Sequence, residues 1–156
     1  MTTEDSVLSA ITDSHLFASL DDEGRRRLMD GARTVHFDGE QVIVREGDPG
    51  EALYVVKDGK VRVTTTKDGV AVHLATLERG ACFGEVSLLS GRPRTATVVA
   101  DGRCTMLAFS RVQIEELLDA FPKVRRRLET MVIGRAKDTM RKLTRPLATL
   151  RRPSGE

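Results

Sequence analysis

The sequence predicts an α+β protein built on a jelly-roll-like β-roll of about eight strands, with N-terminal helices before it and two C-terminal helices after it. Two observations carry this prediction. Short β-rich runs recur between Thr34 and Ser110, separated by glycines at intervals of nine to eleven residues. Before and after this region, apolar residues recur at helical spacing instead. The predicted strands are Thr34–Phe37, Gln41–Val44, Leu53–Val56, Val61–Thr66, Val70–Leu77, Thr95–Val99 and Cys104–Phe109.

Turn residues support the roll. Asp58-Gly59 and Asp68-Gly69 are typical of two-residue hairpin loops, because glycine readily adopts the positive φ that such loops require. Gly47-Asp48-Pro49-Gly50 predicts a tight turn before the third strand. We therefore expect two hairpins and one tight turn in the first half of the roll.

The helical segments begin at recognisable caps. Ser19 and Asp22 predict a capping box within a helical region at residues 6–32, and Ser110 with Gln113 predicts another after the roll. Pro122 predicts the start of the last helix, which is expected to run toward Leu143. The expected division is an N-terminal helical segment 1–32, a β-roll 33–110 with an inserted short helix, two C-terminal helices 111–143 and a basic flexible tail 144–156.

Composition argues against several classes of protein. No apolar run is long enough to cross a bilayer, and the acidic, polar N-terminus does not resemble a signal peptide, so we expect a cytoplasmic protein. In that setting Cys82 and Cys104 fit buried thiols better than a disulfide. The three histidines are scattered without metal-ligand spacing, which argues against a metal site and against an enzyme of the cupin type.

Charge is distributed unevenly along the chain. Residues 122–152 hold eleven Lys/Arg and two Asp/Glu, whereas the rest of the chain holds fourteen basic and twenty-one acidic residues. Such asymmetry is typical of a surface for nucleic acid, anionic lipid or an acidic partner. A solvated helix face would carry the same pattern, so both interpretations stay open.

Residues 83–98 contain the most specific motif. Gly84-Glu85 stands at the start of a short apolar helix, where free N–H groups and the helix dipole attract an anion. Arg94 follows nine residues later and supplies a planar cation that can bind two phosphate oxygens. This stretch closely resembles the phosphate-binding cassette of cyclic-nucleotide-binding domains, as found in catabolite activators, cyclic-nucleotide-dependent kinases and gated channels. The resemblance spans roughly residues 14–143 and includes Gly47-Asp48 and the run from Leu53 to Val63.

The resemblance implies cAMP or cGMP as the ligand and assigns residues to each part of it. Arg94 would grip the phosphate, and Glu85 would bind the ribose. In relatives that favour cGMP, a threonine at the place of Thr95 contacts the guanine, so Thr95 points toward cGMP without excluding cAMP. The implied phosphate and ribose site consists of Gly84, Glu85, Val86, Arg94, Thr95 and Ala96. The implied base pocket consists of Val63, Leu74, Cys82 and Phe83, for which core packing is an equal alternative. In relatives the last helix folds over the base as a lid, and its candidate residues are Met131, Arg135 and Met140.

The resemblance also implies a non-enzymatic sensor. Bound nucleotide would favour one arrangement of the C-terminal helices and signal to an effector protein, a second copy or nucleic acid. The alternative is a regulatory fragment of a transcription regulator, kinase or channel whose basic tail contacts nucleic acid or an acidic partner. Only about ten residues follow Leu143 before the expected flexible end, too few for a helix-turn-helix, so we expect no sequence-specific DNA binding. A domain that keeps the fold but binds nothing is a further alternative, against which the intact Glu85 and Arg94 argue.

Overall fold

The structure is a computed structural model that describes residues 7, 9–11, 14, 16–50, 52–85 and 93–144. Within these residues, one helix with both ends described precedes the strands and two follow them, and residues 7 and 9–11 are also helical. The helices are α1 (Asp22–Gly31), α2 (Arg111–Ala120) and α3 (Pro122–Leu143); the strands are β1 (Arg33–Phe37), β2 (Val42–Val44), β3 (Ala52–Asp58), β4 (Val61–Lys67), β5 (Val70–Leu77), β6 (Cys82–Phe83), β7 (Thr97–Ala100) and β8 (Cys104–Ser110).

The eight strands form two four-stranded antiparallel sheets. The strand order is β1-β8-β3-β6 in the first sheet and β2-β7-β4-β5 in the second. Neighbouring strands in each sheet are mostly distant in sequence, as in a jelly-roll. The predicted fold class is therefore confirmed.

The core has two parts, one on each face of the first sheet. On β8, Leu107 and Phe109 pack with the helices, whereas Cys104 and Met106 pack with residues of the second sheet. This alternation follows from the two-residue period of a strand. The central strands β3 and β8 of the first sheet are thus buried on both faces, whereas its edge strand β1 is largely exposed.

The predicted strands all overlap observed ones, but two details differ. Strand β7 begins at Thr97, so Thr95 and Ala96 precede it, and the two-residue strand β6 was not predicted. Asp68-Gly69 does close a hairpin, between β4 and β5, with both residues at positive φ. The hairpin prediction for Asp58-Gly59 is wrong: β3 pairs with β8 and β6, so this turn carries the chain from one sheet to the other.

The starts of both C-terminal helices agree with prediction, but the Gln113 side chain of the predicted capping box donates instead to the carbonyl oxygens of Arg27 and Leu28. Ser110 Oγ accepts a hydrogen bond from the Gln113 N–H at 3.2 Å, and α3 begins at Pro122. The predicted Ser19 box is wrong, because Asp21 caps α1 by accepting from the Gly24 N–H at 2.9 Å, and a turn at 16–19 interrupts the helical region. The short phosphate-binding helix with Val86, and the basic tail from residue 145, lie outside the described residues.

Candidate functional site

A cavity of about 370 Å³ lies between the second sheet, the chain around Gly84 and Arg94, and helix α3. Its volume is within the range of small-molecule sites in proteins. The walls that the sheets supply are mostly apolar. The polar side chains cluster where the two described segments of the cassette, Gly84–Glu85 and 94–96, meet the helix. The roll contributes Val44, Val63, Leu74, Ala75, Leu77, Phe83 and Val98; the cassette contributes Gly84, Glu85, Arg94, Thr95 and Ala96; and α3 contributes Val132, Arg135, Ala136, Asp138, Thr139 and Met140.

Gly84 is a position where only glycine fits. Its φ is +96°, a conformation that costs side-chain-bearing residues energy. A Cβ at this position would lie 2.5 Å from Arg94 Nη1 and 2.7 Å from the Ala52 carbonyl oxygen. The missing side chain therefore lets the guanidinium of Arg94 lie directly against the backbone at Gly84.

Arg94 is held by the body of the roll. Arg94 is 7% exposed, and its Nη2 donates to the Ala52 carbonyl oxygen at 2.9 Å. The backbone of Arg94 is fixed by the Gly47-Asp48 turn: its N–H donates to the Asp48 carbonyl at 2.7 Å, and its carbonyl accepts from the Gly47 N–H at 2.9 Å. The turn predicted from Gly47-Asp48 thus positions the arginine of the site.

Glu85 contacts the helix that covers the cavity. It is 3% exposed, and its Oε2 accepts from Arg135 Nη1 at 2.7 Å. Burial lowers the pKa of Arg135, but the negative charge and hydrogen bond of Glu85, with a contribution from Cys82, outweigh this, and the net pKa is raised. The other oxygen, Glu85 Oε1, is buried and has no hydrogen-bond partner among the described residues. An orphaned buried carboxylate oxygen is costly, and a hydroxyl donor in the cavity would satisfy it.

The C-terminal end of α3 is fastened to the second sheet. Lys142 Nζ donates to the Leu74 carbonyl oxygen on the edge strand β5, and Lys67 Nζ donates to the Leu143 carbonyl oxygen. Asp138 Oδ2 lies 3.0 Å from Lys142 Nζ within the same helix. These contacts hold α3 across the mouth of the cavity.

The predicted base-pocket residues separate into two places. Val63, Leu74 and Phe83 line the cavity, and Phe83 stacks on Tyr54 with ring centroids 5.1 Å apart. Cys82 lies instead in the core beneath the helices, where its Sγ is 3.5 Å from Met131 Sδ. Burial, with the nearby charge of Glu85, raises the pKa of the Cys82 thiol to about 12.

The predicted lid residues separate in the same way. Arg135 and Met140 line the cavity, whereas Met131 faces a different groove beside the N-terminal segment. Sequence reasoning missed Val132, Ala136 and Thr139. With Arg135, these follow the i, i+3, i+4, i+7 spacing of one helix face, so their spacing was the signal that could have identified them.

Two features are absent from the described residues. No group of three or more His, Cys, Asp or Glu side chains is arranged to hold a metal ion in that part of the chain. The described helices also include none that is long and apolar enough to cross a membrane.

Comparisons with known proteins agree with this geometry. The cAMP-dependent protein kinase regulatory subunit of Mucor circinelloides f. lusitanicus is 38% identical over 102 residues, which cover 62% of this chain and 24% of that protein. The regulatory domain of Toxoplasma gondii PKA, crystallised with cAMP, superposes with a TM-score of 0.72 at 28% identity, covering 77% of this chain and 46% of that one. The Thermus thermophilus catabolite activator protein gives a TM-score of 0.73 at 32% identity, covering 82% and 61%.

The chain spans about a quarter of the length of the first curated relatives that it matches. The family model described as "Cyclic nucleotide-binding domain" matches residues 34–121, more than half of the chain. This match includes the roll, both segments of the cassette and the whole of α2. The chain therefore belongs to the cyclic nucleotide-binding domain family.

Proposed function

We propose that this chain is a non-enzymatic sensor that binds cAMP or cGMP in the cavity under α3. The observation that carries the proposal is the convergence of two buried charged residues, Glu85 and Arg94, on one small-molecule-sized cavity with apolar walls. Burying a charged side chain is costly even when it is paired, so two buried charges that line one cavity are typical of a binding site. A cyclic nucleotide offers an anion for the arginine, hydroxyls for the carboxylate and a flat ring system for the apolar walls.

The assignment of each ligand part follows from the chemistry of the residues. Arg94 binds the phosphate, because a guanidinium pairs with two phosphate oxygens in a fixed planar geometry. Glu85 Oε1 accepts from the ribose hydroxyl, which gives this oxygen the partner that the described part of the chain does not supply. Val63, Leu74 and Phe83 form the slot for the base. Gly84, Thr95 and Ala96 complete the phosphate end, with Val86 as a further proposed contact outside the described residues.

Signalling is proposed to pass through α3. Because Arg135 contacts Glu85, a ligand that binds Glu85 interacts differently with the docked and the displaced helix, and this difference shifts their populations. The effector is proposed to be a protein in the cytoplasm, or a second copy of the chain. The named relatives include kinase regulatory subunits, and this supports a regulatory role rather than catalysis.

The choice between cAMP and cGMP stays a hypothesis that rests on Thr95. This residue lines the cavity and is exposed, so its hydroxyl is available to a ligand. A threonine hydroxyl can donate to and accept from a purine edge or a phosphate oxygen. We propose that the site accepts both nucleotides.

Isothermal titration calorimetry with cAMP, cGMP and 5′-AMP tests the proposal. The parent chain is expected to bind at least one cyclic nucleotide more tightly than 5′-AMP. Arg94→Ala is expected to weaken binding about tenfold or more, since a hydrogen bond to a charged group contributes about 1.5–3 kcal/mol. Arg94→Lys should recover part of the affinity, because it keeps the charge but not the planar donor pair.

Arg103→Ala is the matched control, because Arg103 is an exposed arginine in the turn before β8, away from the cavity. Circular dichroism establishes that each variant is folded. Absence of binding by the parent chain would refute the proposed function. Unchanged affinity in a folded Arg94→Ala variant would refute the assigned site.

A further inference from the structure

A second concave surface lies on the opposite side of α3 from the nucleotide cavity. This groove, of about 650 Å³, runs between the first two turns of α3 and the turn that precedes α1. We call it the α3 groove. The residues used in the argument are Leu16 and Ser19 from the turn and Lys123, Arg126, Thr130 and Met131 from the helix.

The α3 groove has an apolar floor and a basic rim. Leu16 is 1% exposed, and Met131 is partly buried against the same core. Lys123 and Arg126 are exposed and lie one helical turn apart, about 4.5 Å along the axis. The hydroxyls of Ser19 and Thr130 are also exposed. Among the described lining residues there is no acidic side chain.

Three cations line the groove, and one of them, Arg127, has an interaction of its own. The other two differ from it and from other basic residues of the same helix. Arg125 pairs with Asp119 at 3.0 Å, Arg135 pairs with Glu85 and Lys142 pairs with Asp138. Lys123 and Arg126 form no ion pair within the described part of the chain. Two unpaired cations on the edge of an apolar groove attract an anionic partner that can also bury apolar surface.

We propose that the α3 groove docks an acidic, amphipathic peptide segment of a partner protein. One apolar side chain of the segment lies on Leu16 and Met131. Two carboxylates of the segment, spaced one helical turn apart, pair with Lys123 and Arg126. Nucleic acid fits less well, because its phosphate backbone has no apolar group for the recessed floor. A lipid surface is also a poorer fit, because membrane-binding helices present their apolar side chains outward.

Selection from a displayed library of random dodecapeptides against the full chain tests this proposal without assuming a partner. Enriched sequences are expected to combine one large apolar residue with acidic residues three or four positions apart. A synthetic peptide of the enriched sequence should bind the parent chain with a salt-sensitive Kd. Lys123→Glu with Arg126→Glu should weaken it about tenfold or more, because attraction becomes repulsion. Met131→Gln should weaken it about threefold by making the floor polar.

Arg33→Glu with Arg103→Glu is the matched control, since these arginines are exposed on strand β1 and in the turn before β8, away from the groove. It should leave the peptide affinity within about twofold, because exposed charges far apart are screened. Enrichment of peptides without acidic residues, or equal losses in both double variants, would overturn the proposal. Two other results would also overturn it, provided that Lys123→Glu with Arg126→Glu abolished them. One is that a short DNA duplex or phosphatidylglycerol vesicles bind the chain more tightly than the peptide does. The other is self-association of the chain.

Discussion

The ion pair between Glu85 and Arg135 is expected to stabilise the protein measurably in the absence of nucleotide. The side chain of Glu85 is 4% exposed, and the side chain of its partner Arg135 is 34% exposed. Replacing Arg135 with Met keeps most of the aliphatic side chain and removes the charge. The buried carboxylate then loses its partner, whereas Glu85→Gln leaves a cation that can reach water.

The magnitude follows from this difference in exposure. Removing one partner of a fully buried pair costs about 3–5 kcal/mol. Because one-third of Arg135 is exposed, solvent screens the pair, and we expect about 2 kcal/mol for Arg135→Met. Glu85→Gln should cost about 1 kcal/mol, and the double variant about the same, so the coupling free energy is about 2 kcal/mol.

Urea unfolding followed by far-UV circular dichroism measures these free energies, since the chain has no tryptophan and one tyrosine. The more exposed pair Arg125–Asp119 is the matched control, because Arg125 Nη2 on α3 lies 3.0 Å from Asp119 Oδ1 on α2. The double-mutant cycle of this pair, with Arg125→Met and Asp119→Asn, should give a coupling free energy of about 0.5 kcal/mol or less. A Glu85–Arg135 coupling no larger than the control would refute the inference that this contact holds α3 on the cavity.

Three further outcomes are expected. Gly84→Ala should lower the free energy of unfolding by at least about 1–2 kcal/mol, because alanine pays the cost of a positive φ. It should also weaken nucleotide binding, because the new Cβ would displace Arg94. Urea unfolding and calorimetry measure the two effects, and values equal to those of the parent would count against the close contact. The pKa of Cys82 is raised to about 12, so the stabilisation from its buried neutral thiol is present below about pH 8.5 and is lost as the pH rises toward 12. The parent should therefore lose more free energy of unfolding over that pH range than Cys82→Ala. Equal slopes of unfolding free energy against pH in the two proteins would contradict this. Thr95→Ala should reduce the affinity for cGMP about two- to tenfold and leave the affinity for cAMP unchanged. An equal loss of affinity for both nucleotides would contradict a contact between Thr95 and guanine.

The roll was predictable because its signals are local. Strand alternation and the glycines between strands are visible within ten-residue windows, and the Asp68-Gly69 turn behaves as its sequence predicts. Asp58-Gly59 has the same local signal but a different outcome. Its preceding strand, β3, pairs with β8, whose residues are some fifty positions away, and a turn dipeptide carries no information about such a distant partner.

The site was predictable in part for the same reason. Glu85 and Arg94 lie nine residues apart in one motif, and the motif requires no knowledge of how distant segments pack. Which side of α3 faces the cavity depends on the rotation of the helix about its axis. Met131 and Arg135 are one turn apart, yet the structure places them on different surfaces. Neighbouring elements, not the sequence of α3 alone, decide that rotation.

The two charged residues of the proposed site are held by different parts of the molecule, and this separates their roles. Arg94 is fixed to the roll through Ala52 and the Gly47-Asp48 turn, so its interaction with phosphate contributes affinity whether α3 is docked or displaced. Glu85 gives one oxygen to Arg135 and keeps the other for a ligand, so nucleotide and helix can bind the same carboxylate together. In the proposed complex, a ligand hydroxyl on Oε1 would hold the carboxylate in the orientation in which it accepts from Arg135. In the proposed sensor, changes at Arg94 should therefore alter how tightly nucleotide binds, and changes at Arg135 should alter how strongly binding holds α3 in place.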